Sequence, residues 1–200
     1  MPDNLRRASP LRDLIPDGIL PGRVESGVVL SERAFYGHIN LRGNPADPAF
    51  LAGVQRCLGI SLPLQPNSVS ASSAIKALWL GPDEWLLISS PSTDQQFLAL
   101  LRDTLSGLRF AATNITDGQT ILHLHGKHAI HILRKGCGLD FHPRVFKPGS
   151  CAQTLIAKAG ALIHYVDQSP SLDLIVRRSF ADYLALWLKD AATDYGFQMI

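Results

Sequence analysis

The chain has 200 residues, 46% apolar and 18% charged, and its 19 basic against 17 acidic side chains leave a formal charge of +2. A chain of this length buries roughly 70% of the surface it exposes when unfolded, which excludes the small scaffolds that depend on disulfide or metal staples. The near-balance of charge excludes both a disordered polyelectrolyte and a nucleic-acid binder driven by counterion release, leaving one compact domain with or without an arm.

Residues 1–22 carry prolines at 2, 10, 16 and 21. Each fixes φ and withholds a backbone donor, so neither a regular helix nor a central strand is expected there. The segment reads as an arm with three fates open to it: a disordered terminus, docking onto a partner through Leu11, Leu14, Ile15, Ile19 and Leu20, or packing of those same residues on the chain's own domain. Its charges and prolines break the apolar stretch a signal peptide needs, and no window approaches 18 consecutive apolar residues, so neither export nor a membrane span is expected. Cys57, Cys137 and Cys151 lie far apart and form neither a C-x-x-C pair nor an even set, which fits a reducing cytoplasm.

From residue 23 onward the pattern predicts a single α+β domain. Residues 27–32 and 35–42 alternate as strands, Asp47 and Pro48 open a helix over 49–58, and Gly59 stops it. Residues 65–73 read as a surface loop. Strands over 74–80 and 84–90 flank the turn Gly81-Pro82-Asp83, and Ser92 or Thr93 caps a helix with Phe97, Leu98, Leu101 and Leu105 on its buried stripe. The order then recurs: a strand over 119–125, a short helix over 127–135 ending at Gly136, and strands over 150–157, 161–166 and 172–176. A last helix has Phe180, Tyr183, Leu184, Trp187, Leu188 and Ala191 at helical spacing, with Gly196 closing it and Trp187 in the core. Each half thus reads β-α-β-β-α, about 23–108 and 109–200, with helices on one face of a mainly antiparallel sheet.

Chemistry-bearing clusters are few. His123, His125, His128 and His131, with Cys137 and His142 downstream, make zinc ligation geometrically conceivable, but their spacing matches no specific zinc motif. The competing reading places two histidines on a strand face and two on the polar side of a helix. Cys137 stands at a helix end, where a thiolate gains nothing from the dipole, and reads as a small packed residue. Neither G-x-S-x-G nor a strand followed by G-x-G-x-x-G occurs. No catalytic, cofactor-binding or metal residue is therefore assigned. Trp79 and Trp85, beside the 81–83 turn, fit either a core or an interface.

Several segments together resemble a known family. They are Asn40-Leu41-Arg42-Gly43 with 45–51, Leu80-Gly81-Pro82-Asp83-Glu84-Trp85-Leu86-Leu87, Asp117-Gly118-Gln119-Thr120, Leu124 to Gly126, Lys135-Gly136-Cys137, 139–144, Cys151-Ala152-Gln153-Thr154-Leu155 and Arg177-Arg178-Ser179-Phe180-Ala181. In this order they resemble the gamma subunit of heterotetrameric sarcosine oxidase. The resemblance implies a fold similar to the tetrahydrofolate-binding domain of aminomethyltransferases, the T proteins of the glycine cleavage system. It also implies a small subunit of an enzyme that converts sarcosine, O2 and tetrahydrofolate to glycine, H2O2 and methylenetetrahydrofolate. By the same resemblance FAD, FMN, NAD and zinc reside on the alpha, beta and delta subunits, which are the expected partners. Where aminomethyltransferases carry Arg-x-Gly-Tyr-Thr-Gly-Glu, residues 162–170 here have no such segment, so no catalytic residue carries over. Arg42, Trp79, Trp85, His142, Arg144 and Arg178 are the candidates for subunit contacts, and the isolated chain is expected to form a homodimer. The alternative is a free-standing, folate-binding aminomethyltransferase-like protein, which needs a carboxylate near the pterin; Asp117 and Asp140 are available.

Overall fold

The computed structural model describes residues 7–14 and 26–200. The first half contains β1 (Val28–Arg33), β2 (Gly37–Gly43), α1 (Pro48–Leu58), β3 (Val69–Ala71), β4 (Ile75–Gly81), β5 (Glu84–Ser89), α2 (Asp94–Thr104) and β6 (Phe110–Asn114). The second half contains β7 (Gln119–His125), α3 (Ala129–Arg134), β8 (Cys151–Ile156), β9 (Ala159–Asp167), β10 (Ser171–Arg177), α4 (Ala181–Ala191) and β11 (Phe197–Met199).

Local chemistry accounts for the helix ends. The Asp47 carboxylate accepts a 2.9 Å hydrogen bond from the Ala49 amide, Pro48 occupies the first turn, and Gly59 leaves α1 with φ +67, a left-handed conformation that suits glycine. The predicted side-chain cap on α2 does not form. Thr93 takes the cap position, but its hydroxyl donates to the Ser90 carbonyl at 2.8 Å, stabilising the preceding turn. The expected loop over 65–73 contains β3, a three-residue strand held by antiparallel pairing of Val69 with Leu78 and Ala71 with Lys76.

The strands form two sheets, β3-β4-β5-β2-β6 and β11-β1-β7-β10-β9-β8. All named pairs are antiparallel except β1 with β11. Within the first, β6-β2-β5-β4 is the strand order of a split β-α-β unit. In the second, β1-β7-β10-β9 has the same order, but its fourth position is filled by β1 from the beginning of the chain. The strand after α4 lies outside β1. The two sequence halves therefore trade at their edges, because β1 belongs to the sheet built by the second half.

Helices cover one face of each sheet. Phe50, Val54, Leu98, Leu101 and Leu105 of α1, α2 and the turn after α2 pack on Ile39, Leu41, Ile75 and Leu87. Ile132, Leu133, Leu184 and Leu188 of α3 and α4 pack on Leu30, Leu122, Leu124, Leu172 and Leu174. A third core joins the opposite faces: Leu78, Leu86 and Ile88 of the first sheet meet Ile121, Leu162 and Ile175 of the second. The layers run helix, sheet, sheet, helix, and strands buried on both faces carry apolar residues at both parities, as in Leu172 to Val176.

Part of the arm belongs to this structure. Leu11 is fully buried in the core of α3 and α4, and Leu14 packs against it. The Arg178 guanidinium donates to the Ala8 carbonyl at 2.7 Å, and Ser9 donates to Glu32. Ile15, Ile19 and Leu20 lie outside the described residues. Leu11→Ala removes a fully buried side chain and is expected to lower the unfolding free energy by about 3 kcal/mol in urea titration; an unchanged midpoint would mean that the arm does not pack.

Candidate functional site

Strand alternation sends Ser171, Asp173, Ile175 and Arg177 of β10 to the face between the sheets, with His123 and Gln119 beside them on β7. Asp173 is 1% exposed. Its carboxylate lies 3.1 Å from Arg33 Nη1 on β1, 3.2 Å from Lys76 Nζ on β4 and 2.8 Å from His123 Nδ1, while His164 Nδ1 of β9 stands 3.5 Å away. Lys76 comes from the other sheet, so this cluster ties the two layers together. Burial alone would push the Asp173 carboxyl up; hydrogen bonds from His123 and His164 and the charges of Lys76 and Arg33 outweigh it and hold the group far below the usual carboxylate range.

Ser171, His123 and Asp173 have the residue types of a hydrolytic triad, with Ser171 Oγ 3.4 Å from His123 Nε2. The arrangement works against that chemistry. An ionised Asp173 makes His123 Nδ1 the donor and Nε2 the acceptor, and Arg33 Nη2 sits 3.3 Å from Nε2. A guanidinium cannot accept a hydrogen bond, so it occupies the lone pair a general base needs. Ser171 itself is buried. The cluster is an ionic clamp around Asp173.

Other titratable groups are similarly held. Burial pushes the Cys151 thiol up to about 11, which keeps it protonated; its Sγ–H lies 3.5 Å from the carbonyls of Ser68 and Trp79. His38 on β2 is 1% exposed, neither ring nitrogen has a hydrogen-bond partner among the described residues, and burial lowers its pKa from 6.5 to about 4 against the raising effect of Asp94. His128 stacks on Tyr195 at 4.4 Å, and His123 and His125 are 5.5 Å apart on the inter-sheet face. Among the described residues no group of histidine, cysteine or acidic side chains is arranged to hold a metal.

At the other end of these strands the sheets leave a cleft of about 610 Å³, lined by Asn40, Glu84, Gln119, Gln153, Arg177 and Phe180 over an apolar floor.

The predicted contact residues are dispersed. Trp85 is corrected: it is fully buried beneath α1, its indole N–H donates to the Pro63 carbonyl at 2.8 Å, and it has no surface to offer a partner. Trp79, opposite it on the same face, is half-buried. Arg42 is exposed and pairs with Asp83 and Glu84 at 3.6 and 3.4 Å. His142 and Arg144 occupy an exposed loop after α3, and Arg178 holds the arm. Sequence reasoning did not single out Asp173, Lys76 or Arg33. The available signal was one carboxylate inside the apolar strand Ser171–Arg177.

The model of the sarcosine oxidase gamma subunit family matches residues 42–194. The sarcosine oxidase subunit gamma of Arthrobacter sp. is 30% identical over 191 residues, covering 95% of this chain and 92% of that protein. A chain of the heterotetrameric sarcosine oxidase from Corynebacterium sp. U-96, solved in complex with pyrrole 2-carboxylate, superposes with a TM-score of 0.85 at 29% identity, covering 96% of this chain and 97% of that one. The glycine cleavage system aminomethyltransferase T from Bartonella henselae shares the fold, with a TM-score of 0.66 at 13% identity, over 88% of this chain and 48% of that one.

Removing Asp173 as Asp173→Ala takes the counter-ion from two partly buried cations, Arg33 and Lys76, and is expected to cost about 2–3 kcal/mol of stability by chemical denaturation; a loss below about 1 kcal/mol would contradict the clamp. For His38, the unfolded chain takes up a proton near pH 6.5 and the folded chain only near 4. Its stabilising contribution is whole above about pH 6.5 and falls by about 3 kcal/mol as pH drops to 4. His38→Leu should flatten that part of the stability profile, and an unchanged slope would exclude the assignment.

Proposed function

Because the chain belongs to the sarcosine oxidase gamma subunit family, we propose that it is the small subunit of a sarcosine-oxidising hetero-oligomer, supporting assembly and supplying no catalytic group. The single observation that carries this reading is the match over nearly the whole of both chains to a component of a heterotetrameric sarcosine oxidase. The alpha, beta and delta subunits are the proposed partners, and FAD, FMN, NAD and zinc are proposed to reside on them. The whole enzyme then takes sarcosine, O2 and tetrahydrofolate to glycine, H2O2 and methylenetetrahydrofolate in the cytoplasm.

The chemistry of the inter-sheet face supports the accessory role. The one triad-like group has its base blocked by Arg33, and Cys151 stays a thiol. A folate-binding reading needs a carboxylate facing a pterin, yet Asp117 is exposed and pairs with Arg7 at 2.9 Å, while Asp140 accepts from the His142 amide at 2.8 Å in a separate loop. Sharing the T-protein fold carries no ligand with it, since function follows the site and not the fold.

Co-expression with the large subunits tests the proposal. The chain is expected to co-purify with them in fixed ratio, and its deletion to lower the yield of assembled enzyme. Failure to co-purify, with enzyme yield and activity unaffected by deletion, would overturn it.

A further inference from the structure

The inter-sheet cleft does not end at its mouth. Phe180 lines it and meets Tyr183 edge-on at 6.3 Å, and Leu186 follows three residues later on the exposed side of α4. This apolar strip extends about 9 Å along the helix. Leu155 of β8, the strand that contributes Gln153 and Thr154 to the cleft, is 61% exposed although it sits in a strand, and Leu186 is 50% exposed. The Tyr183 hydroxyl accepts from the Lys158 amide at 3.3 Å, so the β8–β9 turn and α4 form one continuous surface. Scattered single apolar residues need no explanation, but a strip that runs into a cleft marks a contact site.

Two polar features define what fits. Gln119 and Arg177 are register partners on β7 and β10, both lining the cleft. Gln119 Oε1 is buried and has no donor among the described residues. Among the described residues no carboxylate pairs with Arg177 or Lys158, whereas Glu84 across the cleft pairs with Arg42 and accepts a hydrogen bond from the Asn40 amide. Among the described residues the cleft thus offers a buried acceptor without a donor and an exposed cation without a carboxylate. Gly160, the cross-strand partner of Leu155, lines the cleft and opens onto free space, since a Cβ there would meet no atom within 4 Å. A polypeptide segment supplies a partner for each of these features: a backbone N–H for Gln119, a carboxylate for Arg177 and an apolar side chain for the open space above Gly160.

We infer that this cleft and the Phe180–Tyr183–Leu186 strip are the surface by which the chain docks onto another subunit of its enzyme, receiving an extended segment that carries a large apolar side chain next to Asp or Glu. The inference rests on the hetero-oligomer reading above. A length of strand-like chain suits the cleft better than a compact ligand, because the apolar surface continues along α4 beyond any small molecule's reach.

The experiment is co-purification and affinity measurement of the full chain with the large subunits, comparing wild type with Gly160→Phe, Arg177→Glu and Phe180→Asp. Gly160→Phe fills open space without strain, so its melting temperature should match wild type while affinity falls by about tenfold or more. Arg177→Glu should weaken binding similarly, and Arg177→Lys should restore most of it. Wild-type affinity in both Gly160→Phe and Arg177→Glu overturns the inference and leaves the subunit reading intact. A wild-type chain that does not bind overturns both. A chain that self-associates through these residues, with Gly160→Phe making it monomeric and leaving subunit binding unchanged, assigns the surface to a second copy and also overturns the inference.

Discussion

A carboxylate buried between two sheets sets the terms for the rest of this molecule. Asp173 is removed from water at the centre of the inter-sheet layer, where an ionised group persists only if cations and hydrogen-bond donors surround it. Those groups come from four separate strands. Arg33 arrives on β1, His123 on β7, His164 on β9 and Lys76 on β4 of the facing sheet. The requirement for Arg33 is satisfied only while β1 occupies the fourth position of the second sheet. That requirement for Lys76 also fixes which ends of the two sheets lie together. A partnered charge of this kind is weak evidence for added stability, but it penalises any sliding of one sheet over the other, which an apolar interface of leucines and isoleucines would tolerate.

The same arrangement decides the chemistry. Two sheets packed back to back leave a polar cluster at one end and a cleft at the other. At the clamp, the imidazole lies between a carboxylate and a guanidinium, so its lone pair is occupied. At the cleft, among the described residues, the Gln119 acceptor has no donor and the exposed Arg177 pairs with no carboxylate. Closed at one end and unsatisfied at the other, the molecule is organised as a body with a docking mouth. That organisation fits a chain whose relatives are named as subunits of sarcosine oxidase.

Local signals were strong enough to find the helices and most strands. Asp47-Pro48 and Gly59 bracket α1 through their own chemistry, and the apolar stripe of α4 needs only its spacing. β3, β6 and β11 were not foreseen, because each is short and becomes a strand by pairing with a distant neighbour, as β6 does with β2. The two-layer packing of sheets was also not legible. Apolar residues at both parities of β9 and β10 indicate burial on both faces, but do not say whether a helix or another sheet lies above. The histidines were visible as a cluster, and their roles were not. His123 serves a carboxylate 50 residues away, His128 stacks on Tyr195 and His38 lies alone in the interior. Trp85 looked like an interface aromatic because it neighbours a turn, yet its strand turns that side toward α1.

A subunit that organises its enzyme without entering the chemistry leaves turnover unchanged when its own exposed carboxylates are removed. The most direct measurement is the rate of sarcosine oxidation per assembled complex, with the chain carrying Asp117→Asn and Asp140→Asn, the two exposed carboxylates a folate-dependent role would need. The account predicts the wild-type rate and the wild-type yield of methylenetetrahydrofolate at full assembly. A rate or yield lowered about tenfold or more in fully assembled complex, an effect of the size that loss of a general acid or base produces, would contradict it.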